Sequence, residues 1–331
     1  MNQFKAFRVY QENKTVSGRI ESVSLDELSA GEVDIQVEYS SVNYKDALAA
    51  TGQGKIIRKF PLIAGIDVSG RVIESRDSRF KTGDQVLVTG YEFGTGHDGG
   101  YAEIARAPAD WVIKLPDGFT TYKAMALGTA GFTAGLCVQR LEDNHQAPAM
   151  GEFIVTGASG GVGMIAIDIL SALGYEVVAL SGKTSLTDKL KQIGAKRVID
   201  RTALTTDGPP LEKGIWGGAI DNVGGDILGW LTRTIVPWGN IASVGLAGGT
   251  HLNTTVMPFI LRGVSLIGIT SSGCPSPLRE KIWERLSTDL APRHLDDIVS
   301  RVVTLEDLPG VFEEMLAGKT VGRTVVKINN D

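Results

Sequence analysis

The chain has 331 residues, a net charge of −5 and a hydrophobic content of 43%, a composition typical of a globular protein with about two domains. Its mild acidity argues against a nucleic-acid partner, which would require a basic face. No apolar run approaches the roughly 18 residues of a membrane span, and the charged N-terminal segment is unlike a signal peptide. We therefore expect a cytoplasmic protein without a membrane partner.

Residues 1–125 are expected to form a β-rich domain. Short segments of alternating polar and apolar residues recur there, and turns that contain glycine separate them. The segments predicted to be strands are 5–10, 33–39, 70–74, 85–89 and 111–115.

Residues 126–270 alternate strands and helices, which predicts a doubly wound α/β domain with a parallel sheet. Its strands are expected to end near Val155, Leu180, Ile199, Ile220, Val244 and Ile269. After the first strand, the glycine turn 157–163 opens an apolar helix, and the second strand follows at the distance of a βαβ unit. Backbone N–H groups at such a helix N-terminus bind anions, so we predict a dinucleotide pyrophosphate there rather than a plain tight turn. The residues expected to bind it are Ser159, Gly160, Gly161 and Val162.

The end of the second predicted strand indicates which dinucleotide binds. An NAD site usually has an acidic residue there for the ribose 2′-hydroxyl, but positions 177–187 contain no Asp or Glu. A lysine stands there instead, which favours the 2′-phosphate of NADP(H) over NAD(H); the alternative for this lysine is a solvated loop. The residues predicted to contact the cofactor at this end are Ser181, Gly182, Lys183 and Arg201.

Residues 271–331 are expected to complete the nucleotide domain and to return to the β-rich one. The segment 305–316 predicts an amphipathic helix, and 322–328 predicts a strand that rejoins the first domain. The nicotinamide would then lie in the cleft between the two domains.

Several motifs resemble the medium-chain dehydrogenase/reductase superfamily and, within it, the YhdH/AcuI quinone oxidoreductase-like family. They are Ser41–Leu48, Gly128–Ala134, Val155–Gly163, Gly245–Gly249 and Met257–Arg262. The resemblance covers essentially the whole chain and implies a GroES-like catalytic domain, NADPH as cofactor and reduction of acryloyl-CoA to propanoyl-CoA. It also implies a homodimer formed through the edge strand near 264–269. Further cofactor contacts implied by it come from Leu246, Ile260, Ser272 and Asn329.

One departure from the superfamily concerns zinc. Zinc alcohol dehydrogenases have a cysteine ligand at the position of Asn43 and a histidine ligand at the position of Ile66, and neither side chain here binds zinc. The structural zinc loop expected between positions 90 and 115 contains no cysteine, and the four histidines form no ligand pair. Without a Lewis acid, reduction of an activated C=C bond is easier than reduction of a simple ketone, because hydrogen-bond donors can stabilise the enolate. We therefore expect a zinc-independent enzyme with no metal site.

Two residues of the motif Ser41–Leu48, Tyr44 and Asn43, are the candidates for the catalytic site, and Thr129 is a further candidate for contact with the cofactor. Tyr44 could contact the nicotinamide, supply the α-proton or pack as an ordinary aromatic residue, and we favour the contact. Asn43 is a candidate donor to the cofactor ribose or the substrate carbonyl, while Lys45 and Asp46 could form a local ion pair. Thr129 could touch the nicotinamide side of the cofactor or cap a helix.

The substrate is less well defined by the residues. Lys55 and Arg58 could clamp the phosphates of a CoA thioester or belong to a solvated loop. The leading hypothesis is an NADPH-dependent reductase of an enoyl thioester such as acryloyl-CoA. Two alternatives stay open, namely a quinone or alkenal reductase and a redox sensor that binds NADPH without turnover.

Overall fold

In a computed structural model, which describes residues 3–328, the chain divides into two compact units. The first unit contains residues 3–129, 272–287 and 299–328, and the second contains residues 130–271 and 288–298. The domain limits predicted from the sequence, which are 1–125, 126–270 and 271–331, remain a prediction. No helix of the described residues is long and apolar enough to cross a membrane.

The first unit is built on two sheets. In the smaller one, β1 (Gln3–Glu12) pairs antiparallel with β2 (Thr15–Ser24) and β4 (Leu62–Ile63). The larger sheet has the strand order β15-β16-β3-β5-β6-β8, with β7 also paired to β3. Its strands are β3 (Val33–Ser41), β5 (Asp67–Ser75), β6 (Gln85–Thr89), β7 (Ile104–Ala107), β8 (Ile113–Lys114), β15 (Val299–Val303) and β16 (Arg323–Lys327). The antiparallel pairing of β16 with β3 is the return of the C-terminal segment that the sequence predicts.

Four helices belong wholly or partly to this unit. They are α1 (Tyr44–Thr51), the start of α2 (Thr121–Asp143), α7 (Ser276–Ser287) and α9 (Leu308–Leu316). Helix α1 packs against α9 over a buried apolar cluster, in which the rings of Phe7, Tyr101 and Phe312 meet. Helix α2 is interrupted at Gly128, whose φ of 51° and ψ of −154° lie outside the helical region.

The second unit is a six-stranded parallel sheet with the order β11-β10-β9-β12-β13-β14. Its strands are β9 (Phe153–Thr156), β10 (Val177–Ser181), β11 (Arg197–Asp200), β12 (Trp216–Asp221), β13 (Ile235–Ser243) and β14 (Ser265–Gly268). Its helices are the rest of α2, α3 (Gly161–Ala172), α4 (Thr187–Gln192), α5 (Gly225–Thr234), α6 (Met257–Arg262) and α8 (Leu295–Ile298). The predicted doubly wound fold is confirmed. Because β10 and β12 lie on opposite sides of β9, the strand order reverses between β9 and β12, the topological switch point where such sheets bind ligands.

Candidate active site

The glycine turn lies between β9 and α3, as predicted. Gly157 has a φ of 57°, in the left-handed region that favours glycine, and its carbonyl accepts the N–H of Gly160 at 3.0 Å. A Cβ atom added at Gly163 would lie 2.5 Å from that carbonyl oxygen, so only glycine allows α3 to pack so closely on the turn. The first N–H groups of α3, which the helix itself cannot pair, are available to an anion.

The four residues predicted to hold a 2′-phosphate lie together at the end of β10. Ser181 is buried, and its Oγ accepts the N–H of Lys183 at 3.1 Å. The Arg201 guanidinium lies beside Gly182, because a Cβ added at Gly182 would be 3.3 Å from its Nη2 atom. Partial burial lowers the pKa of Lys183. The arrangement fits an anionic group on the ribose.

An acid also stands at this end of the sheet, which the sequence reasoning missed. Asp200 is paired with Ser181 in the register of β10 and β11. Its Oδ1 accepts both the N–H and the hydroxyl of Thr202, each at 2.8 Å, and these bonds lower its pKa. Asp200 therefore caps the following turn.

A second polar cluster missed by the sequence reasoning lies where β9 and β12 end. The Thr156 hydroxyl donates to Asp221 Oδ1 at 2.6 Å and accepts the N–H of Asn222 at 3.0 Å. Asp221 also accepts the N–H of Gly224 at 2.8 Å, and its burial raises its pKa. The signal for this cluster is the polar pair at positions 221–222 directly after an apolar strand.

In the first unit, the buried carboxylate of Asp67 is the centre of a polar network. Its Oδ2 accepts from Ser41 Oγ at 2.6 Å, from Asn43 Nδ2 at 2.8 Å and from the N–H of Thr129 at 2.8 Å. Its Oδ1 accepts from the Thr129 hydroxyl at 2.5 Å. The network requires a glycine at position 128, because a Cβ there would lie 2.6 Å from both Asp67 Oδ2 and Ser41 Oγ.

Asp46, which lies in the first turn of α1, is buried in the same network. It accepts the backbone N–H of Asn43 at 2.9 Å and of Ile66 at 2.9 Å, and the Asn43 amide at 3.2 Å. Burial and the neighbouring charge of Asp67 raise the pKa of Asp46 to about 7. The local ion pair considered from the sequence is therefore not formed, because this carboxyl faces inward and caps α1 and does not meet Lys45.

A guanidinium completes the network. Arg323 is buried, and it donates to the carbonyl oxygens of Ala126 at 3.0 Å, Val42 at 3.3 Å and Met125 at 3.3 Å. It also donates to Asn43 Oδ1 at 3.2 Å, so both ends of that amide are held. Burial lowers the pKa of Arg323, while the charges of Asp67 and Asp46 oppose that shift.

These contacts change the role expected of Asn43. Both N–H bonds of its amide are used, one on Asp67 and one on Asp46, and neither is left for a cofactor or a substrate. The residue thus departs from the donor expected from the sequence and holds two acids instead. Tyr44, the first residue of α1, is 43% exposed, and Thr129 follows the break in α2.

The remaining predicted residues lie at more exposed positions. Arg58 forms an exposed ion pair with Glu92 at 3.0 Å, which weakens its case as a phosphate clamp, and Lys55 is exposed. Leu246 and Ile260 are exposed, and the carbonyl of Ser272 accepts the N–H of Tyr91 at 3.0 Å. Asn329 lies outside the described residues.

Comparison with known proteins identifies the family. The model of the alcohol dehydrogenase GroES-like domain matches residues 29–117, and the model of the zinc-binding dehydrogenases matches residues 161–288. Acrylyl-CoA reductase AcuI of Ruegeria pomeroyi is 44% identical over 96% of this chain and 97% of its own length. The chain belongs to the medium-chain dehydrogenases/reductases. The predicted fold class and enzyme class, an oxidoreductase, are thereby confirmed.

Two solved structures are also similar over nearly their whole length. YHDH of Escherichia coli K-12, crystallised with NADPH, is 45% identical, with a TM-score of 0.95 over 98% of this chain and all of the other. YhfP of Bacillus subtilis, crystallised with NAD, is 45% identical, with a TM-score of 0.96 over 99% of this chain and all of the other. Relatives at similar identity have thus been crystallised with either dinucleotide.

The residues do not fit the zinc ion for which part of the family is named. Asn43 and Ile66 supply neither a thiolate nor an imidazole, and the Asn43 amide is bonded to Asp67, Asp46 and Arg323. Across residues 3–328, no group of three or more His, Cys, Asp or Glu side chains is arranged to hold a metal ion. A dinucleotide fits better, because the glycine turn and the cluster around Ser181 present donors and cations to phosphate groups.

Proposed function

We propose that the chain is an NADPH-dependent, zinc-independent reductase of enoyl thioesters, with acryloyl-CoA as substrate and propanoyl-CoA as product. The observation that carries the proposal is the bond from Asn43 to Asp67, which occupies the amide at a zinc-ligand position of the alcohol dehydrogenases. Without a Lewis acid, the favoured chemistry is reduction of a C=C bond already activated by a carbonyl group. The likeness to an acrylyl-CoA reductase supports this substrate class.

The second unit binds the cofactor in this proposal. The glycine turn and the first turn of α3 take the pyrophosphate, through residues 159–162. Ser181, Lys183 and Arg201 take the 2′-phosphate, for which a hydroxyl and two cations are suited. Asp200 keeps its negative charge at this end of the sheet, because bonds from Thr202 and the charge of Arg201 lower its pKa, and the two cations Lys183 and Arg201 offset that charge.

The bound cofactor supplies the hydride that reduces the β-carbon of the thioester. Negative charge then develops on the thioester oxygen, and a proton must reach the α-carbon. We assign Tyr44 a role in lining the nicotinamide and assign the α-proton to water. The Asn43 amide does not donate to the thioester oxygen in this proposal, because its N–H groups are bonded to Asp46 and Asp67. Thr129 is held in place by two bonds to Asp67, which fixes its backbone and its hydroxyl.

The experiment that tests the proposal compares NADPH oxidation with acryloyl-CoA, crotonyl-CoA, a quinone and acrolein at equal concentrations. The fastest oxidation is expected with acryloyl-CoA. Faster oxidation with the quinone or with acrolein would favour the second enzyme hypothesis. Binding of NADPH without oxidation by any of the four would favour a redox sensor.

We also propose that the protein forms a homodimer through β14. This strand is at one end of the parallel sheet, with β13 as its neighbour among the described residues, so its outer edge is open to a second copy. Large apolar side chains are exposed on nearby segments of the chain, including Trp238 at 76% and Leu261 at 62%. Sedimentation equilibrium should give twice the chain mass of 35.3 kDa, and a monomer would contradict the proposal.

A further inference from the structure

Asn222 carries a hydrogen-bond acceptor that the fold leaves without a partner. Its Nδ2 donates to the carbonyl oxygen of Thr156 at 2.8 Å, which fixes the amide orientation, because an oxygen could not face that carbonyl. Its Oδ1 therefore lies on the other side, where it is buried and has no hydrogen-bond partner among residues 3–328. Buried polar atoms are nearly always paired, so this exception requires a reason.

The position of this acceptor suggests a ligand. Asn222 directly follows β12, at the switch point between β9 and β12 where dinucleotides bind in sheets of this type. The glycine turn approaches it closely, since a Cβ added at Gly157 would lie 3.1 Å from the Asn222 Cβ. On another side, a Cβ added at Gly245 would lie 2.1 Å from the Asn222 carbonyl oxygen. Neither glycine has a side chain that could cover the amide.

The acceptor is also held rigidly. The N–H of Asn222 donates to Thr156 Oγ1, which in turn donates to the buried Asp221. Asp221 accepts the N–H groups of Val223 at 3.3 Å and Gly224 at 2.8 Å, which fixes the turn after the strand. A polar atom positioned in this way is suited to orient a ligand.

We propose that Asn222 Oδ1 accepts a hydrogen bond from the nicotinamide-riboside half of NADPH, an inference that rests on the proposed function. An amide oxygen repels phosphate, so the pyrophosphate is excluded as its partner. The 2′-phosphate and its ribose are expected at the end of β10, on the opposite side of β9 from Asn222. The donors left are a ribose hydroxyl and the carboxamide N–H of the nicotinamide half.

The test measures binding by calorimetry without any substrate, so it does not depend on turnover. The two ligands are NADPH and adenosine 2′,5′-bisphosphate, which carries only the adenine half. Asn222→Ala should weaken NADPH binding by about threefold to tenfold, the effect of one neutral hydrogen bond, and leave the bisphosphate affinity unchanged.

Thr156→Val is the matched control for a general disturbance of the turn after β12, because it removes the hydroxyl that accepts the N–H of Asn222. This variant should weaken the binding of NADPH and of the bisphosphate by similar factors. Asn222→Ser, with a shorter side chain, replaces Asn222→Ala if the alanine variant does not fold. An equal loss for both ligands in Asn222→Ala, or no loss for either, would overturn the inference while the proposed function stands. Failure of the wild type to bind NADPH would instead overturn the proposed function.

A third ligand distinguishes the two donors. Nicotinic acid adenine dinucleotide phosphate has a carboxylate in place of the carboxamide and keeps both ribose hydroxyls. If Asn222→Ala weakens this ligand as much as NADPH, the inference is supported with a ribose hydroxyl as the donor. If Asn222→Ala weakens NADPH alone, the inference is supported with the carboxamide as the donor.

Discussion

The buried carboxyl of Asp46 predicts a dependence of stability on pH that is opposite to that of most acidic residues. Burial, together with the charge of Asp67, raises its pKa from 3.8 to about 7. The folded chain therefore holds this proton more tightly than the unfolded chain does. Its contribution to the free energy of unfolding is fully present below about pH 4 and is lost as the pH rises through about 7.

The size of the effect follows from the shift. Above pH 5 the carboxyl of the unfolded chain has lost its proton, whereas Asp46 in the folded chain keeps its proton up to about pH 7. This range spans about two pH units, and each unit corresponds to about 1.4 kcal/mol. The contribution of Asp46 should thus fall by about 3 kcal/mol between pH 5 and pH 8. Asp46→Asn has a similar shape and no charge to gain, so its free energy of unfolding should lack this component.

The assay is urea unfolding of the wild type and Asp46→Asn at pH 5, 6, 7 and 8. The free energy of unfolding of the variant should rise relative to that of the wild type with increasing pH, and a constant offset between the two proteins does not affect this slope. Asp77→Asn is the control: hydrogen bonds from Arg79 lower the Asp77 pKa to about 2, so its contribution is complete throughout this range. Free energies that stay parallel for the wild type and Asp46→Asn from pH 5 to pH 8 would refute the reasoning.

Three further predictions concern the cofactor, the metal and the role of Tyr44. Lys183→Ala should raise the dissociation constant for NADPH more than that for NADH; equal wild-type affinity for the two cofactors would contradict the assignment of the 2′-phosphate site. Activity should survive exhaustive treatment with EDTA, and stoichiometric zinc in the purified active protein would count against zinc independence. Tyr44→Phe should lower turnover only slightly because the ring is kept, whereas a loss of about a hundredfold with unchanged NADPH affinity would identify a general acid.

The parallel sheet was predictable because its central strands β9, β10 and β12 are buried along their whole length and appear as short apolar runs. All six strands end within one residue of the predicted positions. The first unit was less predictable. β2 (Thr15–Ser24) was missed because Val23 is its one fully buried residue, and β4 (Leu62–Ile63) is too short to show a period. The strand predicted at 111–115 is reduced to β8 (Ile113–Lys114), since a 3₁₀ turn occupies Ala109–Trp111.

The site was predictable where the residues are neighbours in the sequence. The glycine turn and the cluster at Ser181 depend on local spacing, and the structure brings their members together. Asp67 and Arg323 were not predicted as a network, because they are far apart in the chain and each alone is an ordinary charged residue. The bonds from the Asn43 amide to Asp46 and Asp67 could not be predicted either, because they depend on which carboxylates are buried beside that amide.

The polar network also gives a physical reason for the return of the C-terminal strand. Asp67 and Asp46 are buried, and buried carboxylates are destabilising unless charge and hydrogen bonds compensate them. The guanidinium of Arg323, the first residue of β16, is buried with these acids and donates to Asn43 Oδ1. The pairing of β16 with β3 carries that charge to Asn43 and the two acids. The same strand that completes the sheet therefore provides compensating charge in a site whose residues do not fit zinc.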